Sequence, residues 1–235
     1  MDAPICFLGL PFDCLLALEL CCGTAGLSAQ LRSLGLDAIG VDHSAKIKRT
    51  KAPILRLDLT SSPNQATILH MICEFKVALV WMGVPCGTAS RARELPVPLY
   101  LKRRGVPEPK PLRSNTFPDG LPSLKGLDLQ RVSLANQLYQ FSALVYRRCC
   151  ERGILAIIEN PSRSYLWSTT WWQQLLDCPS VPTIIADLQA CMFGSLRPKW
   201  TRLVGNDALV SSLAVKCDNS HSHAPWGVAW HKDHY

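Results

Sequence analysis

Glu19-Leu20-Cys21-Cys22-Gly23-Thr24-Ala25-Gly26-Leu27 is the stretch on which the fold turns. The apolar run Cys14–Cys21 reads as a buried strand, and the small residues Gly23 to Gly26 break it. Leu27, Leu31 and Leu34 then recur at helical spacing until Gly35 stops them. Strand, glycine turn and helix open a parallel α/β unit. The same alternation continues downstream. Ala38–Val41 is a short strand closed by Asp42, and Ile54–Leu57 is another closed by Asp58. Gln65–Phe75 reads as a helix, and Val77–Met82 as a fourth strand followed by the turn Gly83-Val84-Pro85-Cys86-Gly87. Strands alternating with helices predict an α/β fold with a mostly parallel, twisted sheet and helices on both faces.

Residues 91–126 break the pattern. Seven of the 17 prolines fall there, without apolar periodicity. Arg91 to Arg113 holds seven basic residues against two acidic ones, which places five of the seven net positive charges in this segment. It reads as a Pro-rich basic loop, either solvated or in contact with nucleic acid. Regularity returns with a helix over Leu129–Arg152, whose apolar stripe runs through Val132, Leu138, Phe141 and Val145. Ile154–Ile158 is a buried strand closed by Glu159-Asn160-Pro161, Trp171–Leu176 a short helix, and Val181–Cys191 and Thr201–Val204 two last strands. The organisation expected is one domain over 1–206 and a His- and Trp-rich tail over 207–235.

Composition narrows the class. The chain has 235 residues, 48% hydrophobic and 18% charged, with a mean hydropathy of +0.08. A chain that apolar is not broadly disordered. Its longest apolar runs are about ten residues, against roughly 20 for a membrane-spanning helix. Asp2, Asp13 and the lack of a basic lead-in argue against a secretory signal. Eleven cysteines, an odd number without a CxxC and with adjacent pairs at Cys21-Cys22 and Cys149-Cys150, suggest free thiols in an intracellular, reducing compartment. The net charge of +7 suits a polyanionic partner.

In an open parallel sheet, ligands bind beyond the carboxyl ends of the strands. Glu19, Asp42 and Asp58 stand at three successive ends. Each alone reads as a helix cap. In order, one per βα unit, they suit a ribose and an adenine, with the small residues of the turn allowing close backbone approach. Glu-Leu-x-x-Gly-x-x-Gly-Leu, then Val-Asp, Leu-Asp and Pro-Cys, resembles the class I S-adenosylmethionine-dependent methyltransferases, and more narrowly the cytosine-C5 methyltransferases. The resemblance runs from about Ala17 to Asn206. It implies a Rossmann-like fold in which Glu19, Gly23 and Gly26 face the methionine and ribose, Asp42 the ribose and Asp58 the adenine. Thr24, Ala25, Leu27, His43, Leu59 and Pro85 complete the implied cofactor site.

Pro85-Cys86-Gly87-Thr88-Ala89-Ser90 resembles the family's Pro-Cys-Gln-x-Phe-Ser at Pro85, Cys86 and Ser90 and departs from it at Gly87 and Ala89. A thiolate here could add to cytosine C6 and load C5 with electron density, given nearby positive charge such as Arg91 and Arg93. Read without the resemblance, Cys86 is a packed thiol in a turn. Glu159-Asn160 matches the family's Glu-Asn, which implies that Glu159 holds the cytosine N3 and amino group. Pro161 replaces the family's Val. Met192-Phe193-Gly194 with Arg197-Pro198-Lys199-Trp200-Thr201-Arg202 resembles the aromatic-Gly…Gln-x-Arg-x-Arg region, and also phage-type relatives carrying Lys-Pro-Thr. Ser90, Arg91, Arg93, Asn160, Arg197, Lys199 and Arg202 are thereby candidate nucleic-acid contacts. Trp167, Trp171 and Trp172 read as core or as stacking platforms.

The expected activity is methyl transfer from S-adenosylmethionine to cytosine C5 in DNA, with RNA or a non-catalytic binding module as alternatives. A sizeable target-recognition region is not evident, so recognition is either minimal or comes from residues 91–126, from a partner or from a larger polyprotein. No metal is expected. Cys217, His221 and His223 are weak candidate ligands, with Cys191 or His231 as a possible fourth.

Overall fold

The computed structural model describes residues 15–43 and 49–224. In chain order the elements are β1 (Leu16–Leu20), α1 (Gly26–Ser33), β2 (Asp37–Asp42), β3 (Ile54–Arg56), α2 (Ser62–Glu74), β4 (Val77–Met82), α3 (Leu99–Lys102), α4 (Gly126–Glu151), β5 (Leu155–Pro161), α5 (Thr170–Leu176), β6 (Ile184–Gln189) and β7 (Trp200–Gly205). Seven strands make one sheet in the order β3-β2-β1-β4-β5-β7-β6. It is a mixed, mostly parallel sheet of Rossmann-like type. By compactness the chain divides into two units: residues 1–83 with 148–156, and residues 84–147 with 157–235.

The first unit holds the parallel ladders. β1 pairs with β2 from Leu16↔Asp37 to Leu20↔Val41 and with β4 from Leu16↔Val77 to Leu20↔Met82. All five β1 residues are buried, as a strand covered on both faces requires. Cys14, expected to begin this strand, lies outside the described residues. Ala25, in the left-handed conformation at φ 57, turns the chain from β1 into α1. α2 begins at Ser62, earlier than the apolar pattern suggests, because Pro63 is well tolerated in a first helical turn.

The second unit holds antiparallel ladders. β7 pairs with β5 and with β6. β5 reaches Pro161, so Glu159 and Asn160 lie inside the strand and do not merely close it. The strand expected over Val181–Cys191 is shorter. Cys191 sits in a 3-10 turn, Ala190–Phe193, ended by Gly194 at φ 87. α4 buries Val132, Ala135, Tyr139, Ser142 and Tyr146 along one stripe. Trp172 packs edge-on against Tyr146 and Trp167, with ring centroids 5.7 Å apart in each pair, and its indole N–H donates to Ser142 Oγ at 3.1 Å. Trp167 and Trp172 are therefore core residues, while Trp171 is half-buried. Burying an aromatic of that size stabilises the fold by about 3 kcal/mol.

The Pro-rich segment is more ordered than its composition suggests. It carries a 3-10 turn at Arg91–Glu94 and the short α3, and it buries Val97, Leu112 and Arg113. Beyond β7, a 3-10 turn over Ala208–Leu213 buries Val210, and the Gln189 N–H of β6 donates to the Val215 carbonyl at 2.9 Å. Pro225, Trp226, His231 and His234 lie outside the described residues. Among the described residues no helix is long and apolar enough to cross a membrane.

Candidate functional site

In the first unit Glu19, Asp42 and Asp58 are fixed by different means. Glu19, buried in β1, accepts from both the backbone N–H and the hydroxyl of Ser28 through Oε2, each at 2.7 Å. The carboxylate thus meets the first turn of α1, where the helix dipole favours it. Asp42 closes β2, and the Gly23 N–H donates to its Oδ2 at 3.0 Å, with His43 Nδ1 3.8 Å from its Oδ1. Asp58 accepts the Thr60 hydroxyl at 2.7 Å and the Thr60 N–H at 2.9 Å, and these bonds hold its carboxyl below the usual range.

The turn between β1 and α1 is built for close approach. Gly23 has φ +55, and a Cβ added at Gly23 or Gly26 would meet nothing within 4 Å. Thr24 is exposed, and its carbonyl accepts the Lys51 N–H at 2.8 Å. The open space at Gly23 and Gly26 thus lies on a turn that two carboxylates hold at its ends, Asp42 at Gly23 and Glu19 at Ser28. Ala25 and Leu59 are buried and Leu27 is half-buried. Burial pushes the thiols of Cys21 and Cys22 up to about 12, with Asp42 adding to the effect, so neither is a nucleophile at neutral pH.

The second unit brings together Cys86, Glu159 and Lys199. Lys199 Nζ donates to Glu159 Oε1 at 3.2 Å, and both side chains act electrostatically on Cys86. Burial pushes the Cys86 thiol above its ordinary range, Lys199 draws it down, and Glu159 pushes it back up. The cation beside the thiol is thus Lys199, where the sequence pointed to Arg91 and Arg93. Arg93 Nε donates to the Gly87 carbonyl at 2.7 Å and its Nη1 to the Lys110 carbonyl at 3.0 Å. Arg91 donates to the Arg163 carbonyl at 3.1 Å and lies over the Tyr165 ring, 4.3 Å from its centroid. Both arginines hold the loop in shape.

Three further side chains clamp the Cys86 turn. Asn160 Nδ2 donates to the Val84 carbonyl at 2.9 Å, and its Oδ1 is buried with no hydrogen-bond partner among the described residues. The Tyr139 hydroxyl donates to the Pro85 carbonyl at 2.9 Å. Arg113, 1% exposed, donates to Thr88 Oγ1 at 3.0 Å and to the Pro118 carbonyl at 2.7 Å. Ser90 Oγ accepts the Ala92 N–H and caps the 3-10 turn. Arg202 forks onto Asp187 at 2.8 and 2.7 Å, so its guanidinium is engaged within the β6–β7 ladder. Arg197 is exposed. Cys217, His221 and His223 come together with Cys191.

Ser28, Tyr139, Arg113 and Thr88 were not singled out by the sequence. Tyr139 carried a signal, since a phenol on the buried stripe of a helix must find an acceptor. Arg113, in a segment without periodicity, carried none.

No protein-family model and no curated protein matches the chain. Among solved structures it is similar to the Dnmt2 methyltransferase of S. pombe, at 11% identity and a TM-score of 0.44 over 82% of this chain and 49% of that one. It is similar also to a Spodoptera frugiperda DNMT2 mutant, at 12% identity and a TM-score of 0.38 over 89% of this chain and 56% of that one. The chain spans about half the length of these structures.

Proposed function

We propose that the chain is an S-adenosylmethionine-dependent methyltransferase acting on cytosine C5 in DNA. The observation that carries this reading is the convergence of Lys199 and Glu159 on Cys86, on a turn held by Asn160 and Tyr139. A thiol, a carboxyl and an ammonium are the groups that a conjugate addition to a pyrimidine needs. S-adenosylmethionine, when bound by the residues around Glu19 and Asp42, supplies an electrophilic methyl group.

Cys86 loses its proton to solvent and its Sγ adds to C6 of the ring, which moves an electron pair onto C5. Glu159 holds the N3 edge and its proton, so the ring accepts that pair more readily. Lys199 stabilises the thiolate before the addition. Once C5 has taken the methyl group, which leaves the cofactor as a neutral thioether, loss of the C5 proton to solvent expels Sγ and restores the ring and the free thiolate. A base inside a duplex must leave the stack for its face to be reached.

The test is transfer of radiolabelled methyl from S-adenosylmethionine to a panel of DNA and RNA, with wild type beside Cys86→Ala. The expected result is 5-methylcytosine in DNA, reduced by roughly 10³-fold or more in the variant. Label in RNA alone transfers the same chemistry to the other nucleic acid. Equal labelling by both proteins removes Cys86 as nucleophile. No label from a folded protein that binds S-adenosylmethionine leaves a binding module.

A further inference from the structure

Two cysteines and two histidines converge beside the end of β6. Cys191 lies in the 3-10 turn after that strand, and Cys217, His221 and His223 come from the segment that runs back past it. Their sulfur and ring-nitrogen atoms all lie within 4.8 Å of one another. Cys217 Sγ is 3.4 Å from His223 Nε2 and 3.9 Å from His221 Nε2, and the two Nε2 atoms are 3.2 Å apart. A tetrahedral zinc with Zn–S of about 2.3 Å and Zn–N of about 2.05 Å has S···N edges of roughly 3.6 Å and N···N edges of roughly 3.3 Å. The three edges among Cys217, His221 and His223 lie within a few tenths of an ångström of these, and Cys191 Sγ lies within 4.8 Å of all three donors.

The alternatives account for less. Cys191 and Cys217 are free thiols, so no disulfide explains their approach. One N–H···N bond would satisfy two neutral imidazoles but would give no reason for both sulfurs to lie within 4.8 Å of them. The rings stand edge to face, 83° apart, with the same nitrogen of each turned inward.

We propose that Cys191, Cys217, His221 and His223 form a Cys2His2 site for a structural Zn²⁺. Binding releases both thiol protons to solvent, and two thiolates with two neutral imidazoles bring the site to zero net charge. Four protein donors fill the tetrahedron and leave no open position, which makes the site structural and not catalytic. The thiolate and imidazole set favours zinc over magnesium or calcium. The surroundings are already arranged for it. The Asn219 N–H donates to Cys217 Sγ at 3.3 Å, a contact that stabilises a ligating thiolate. The Cys217 N–H donates to Gln189 Oε1 at 2.9 Å, which anchors the loop to the strand end. Asn219 itself takes φ 60, the tight turn that lets three ligands come from seven consecutive residues.

The site sits next to the loop that carries Lys199. The Ala190 N–H donates to the Lys199 carbonyl at 2.9 Å, and the Ala224 N–H to the Leu196 carbonyl at 2.8 Å. Zinc therefore staples both sides of this loop. The proposal rests on the four ligands alone and does not depend on the reaction assigned to Cys86.

The experiment uses the full chain, purified under reducing conditions and desalted. About one zinc per chain is expected by elemental mass spectrometry. Replacing zinc by Co²⁺ should give thiolate-to-cobalt charge transfer and the intense visible bands of a tetrahedral site. Cys191→Ser with Cys217→Ser should abolish both. Because the cobalt spectrum is read on the wild-type chain, a variant that fails to fold does not remove the test. A reduced, folded wild-type chain that takes up no zinc overturns the proposal. So does a cobalt spectrum without thiolate charge transfer, or full zinc retention in the double variant.

Discussion

At the scale of single residues, the chemistry of Cys86 is a contest between burial and charge. Burial raises its pKa, and the two neighbouring charges pull in opposite directions. Only the thiolate reacts, so the rate should climb with pH through the thiol's titration. Lys199→Gln removes the charge that favours the anion, and the midpoint should move to higher pH. Glu159→Gln removes the charge that opposes it, and the midpoint should move to lower pH. The readout is the pH dependence of iodoacetamide labelling at Cys86, followed by peptide mass spectrometry, which needs neither cofactor nor substrate. Shifts of the reverse sign, or none, would separate these side chains from the thiol. Asn160 shows how one residue can carry two readings. The sequence suggested a substrate contact, while the structure has its amide donating to the buried Val84 carbonyl. Asn160→Ala should therefore destabilise the protein by about 1–3 kcal/mol without any nucleic acid present, the cost of an orphaned buried acceptor. Urea unfolding measures it, and an unchanged midpoint would assign Asn160 to substrate alone.

At the scale of elements, the start of α1 packs on β2 at a point where no side chain fits. A Cβ on Gly40 would stand 2.6 Å from Cys22 Sγ and 3.0 Å from the Ala25 Cβ. Gly40→Ala should cost about 1–3 kcal/mol, as overpacking does. Cys22→Ala should return part of that loss in the double variant, giving a coupling of about 0.5 kcal/mol or more in a denaturation cycle. Additive losses would place the strain elsewhere. This contact also marks the limit of what the chain's pattern conveys. The alternation of apolar runs and helical spacing foretold β1 through β4 to within a residue or two, and most clearly β1 and β2, because strands buried along their length are nearly continuous apolar runs. It placed Glu159 and Asn160 at the end of β5 and not within it, because the polar pair and Pro161 mask three more rungs of pairing with β7. It carried nothing about Arg113 or Thr88, whose roles come from a folded segment held by carbonyls and a cation over the Tyr139 ring. The Lys199–Glu159 pair was equally hidden, since its members are 40 residues apart and meet only through the β5–β7 ladder.

At the scale of the whole molecule, the net charge of +7 matters less than how its carriers are engaged. Five of those net charges fall within Arg91 to Arg113. Arg91 and Arg93 bond backbone carbonyls, Lys102 pairs with Glu108, and Arg113 is buried on Thr88. Arg103, Arg104 and Lys110 are exposed on the same stretch. A polyanion drawn to this segment would release counterions chiefly against these three. Each phosphate contact contributes about 0.9 to the slope of log affinity against log salt on duplex DNA. Arg103→Ala with Arg104→Ala should therefore lower that slope by roughly 2, measured by fluorescence anisotropy on a duplex between low and physiological salt. Both residues are exposed, so stability should stay within about 0.5 kcal/mol of wild type. Substituting Arg91 instead should act mainly through stability, because its guanidinium binds the Arg163 carbonyl and covers Tyr165. An unchanged slope in the double variant would remove this segment as the electrostatic footprint. The exposed Arg197, beside the loop that brings Lys199 to Glu159, would then be the next candidate.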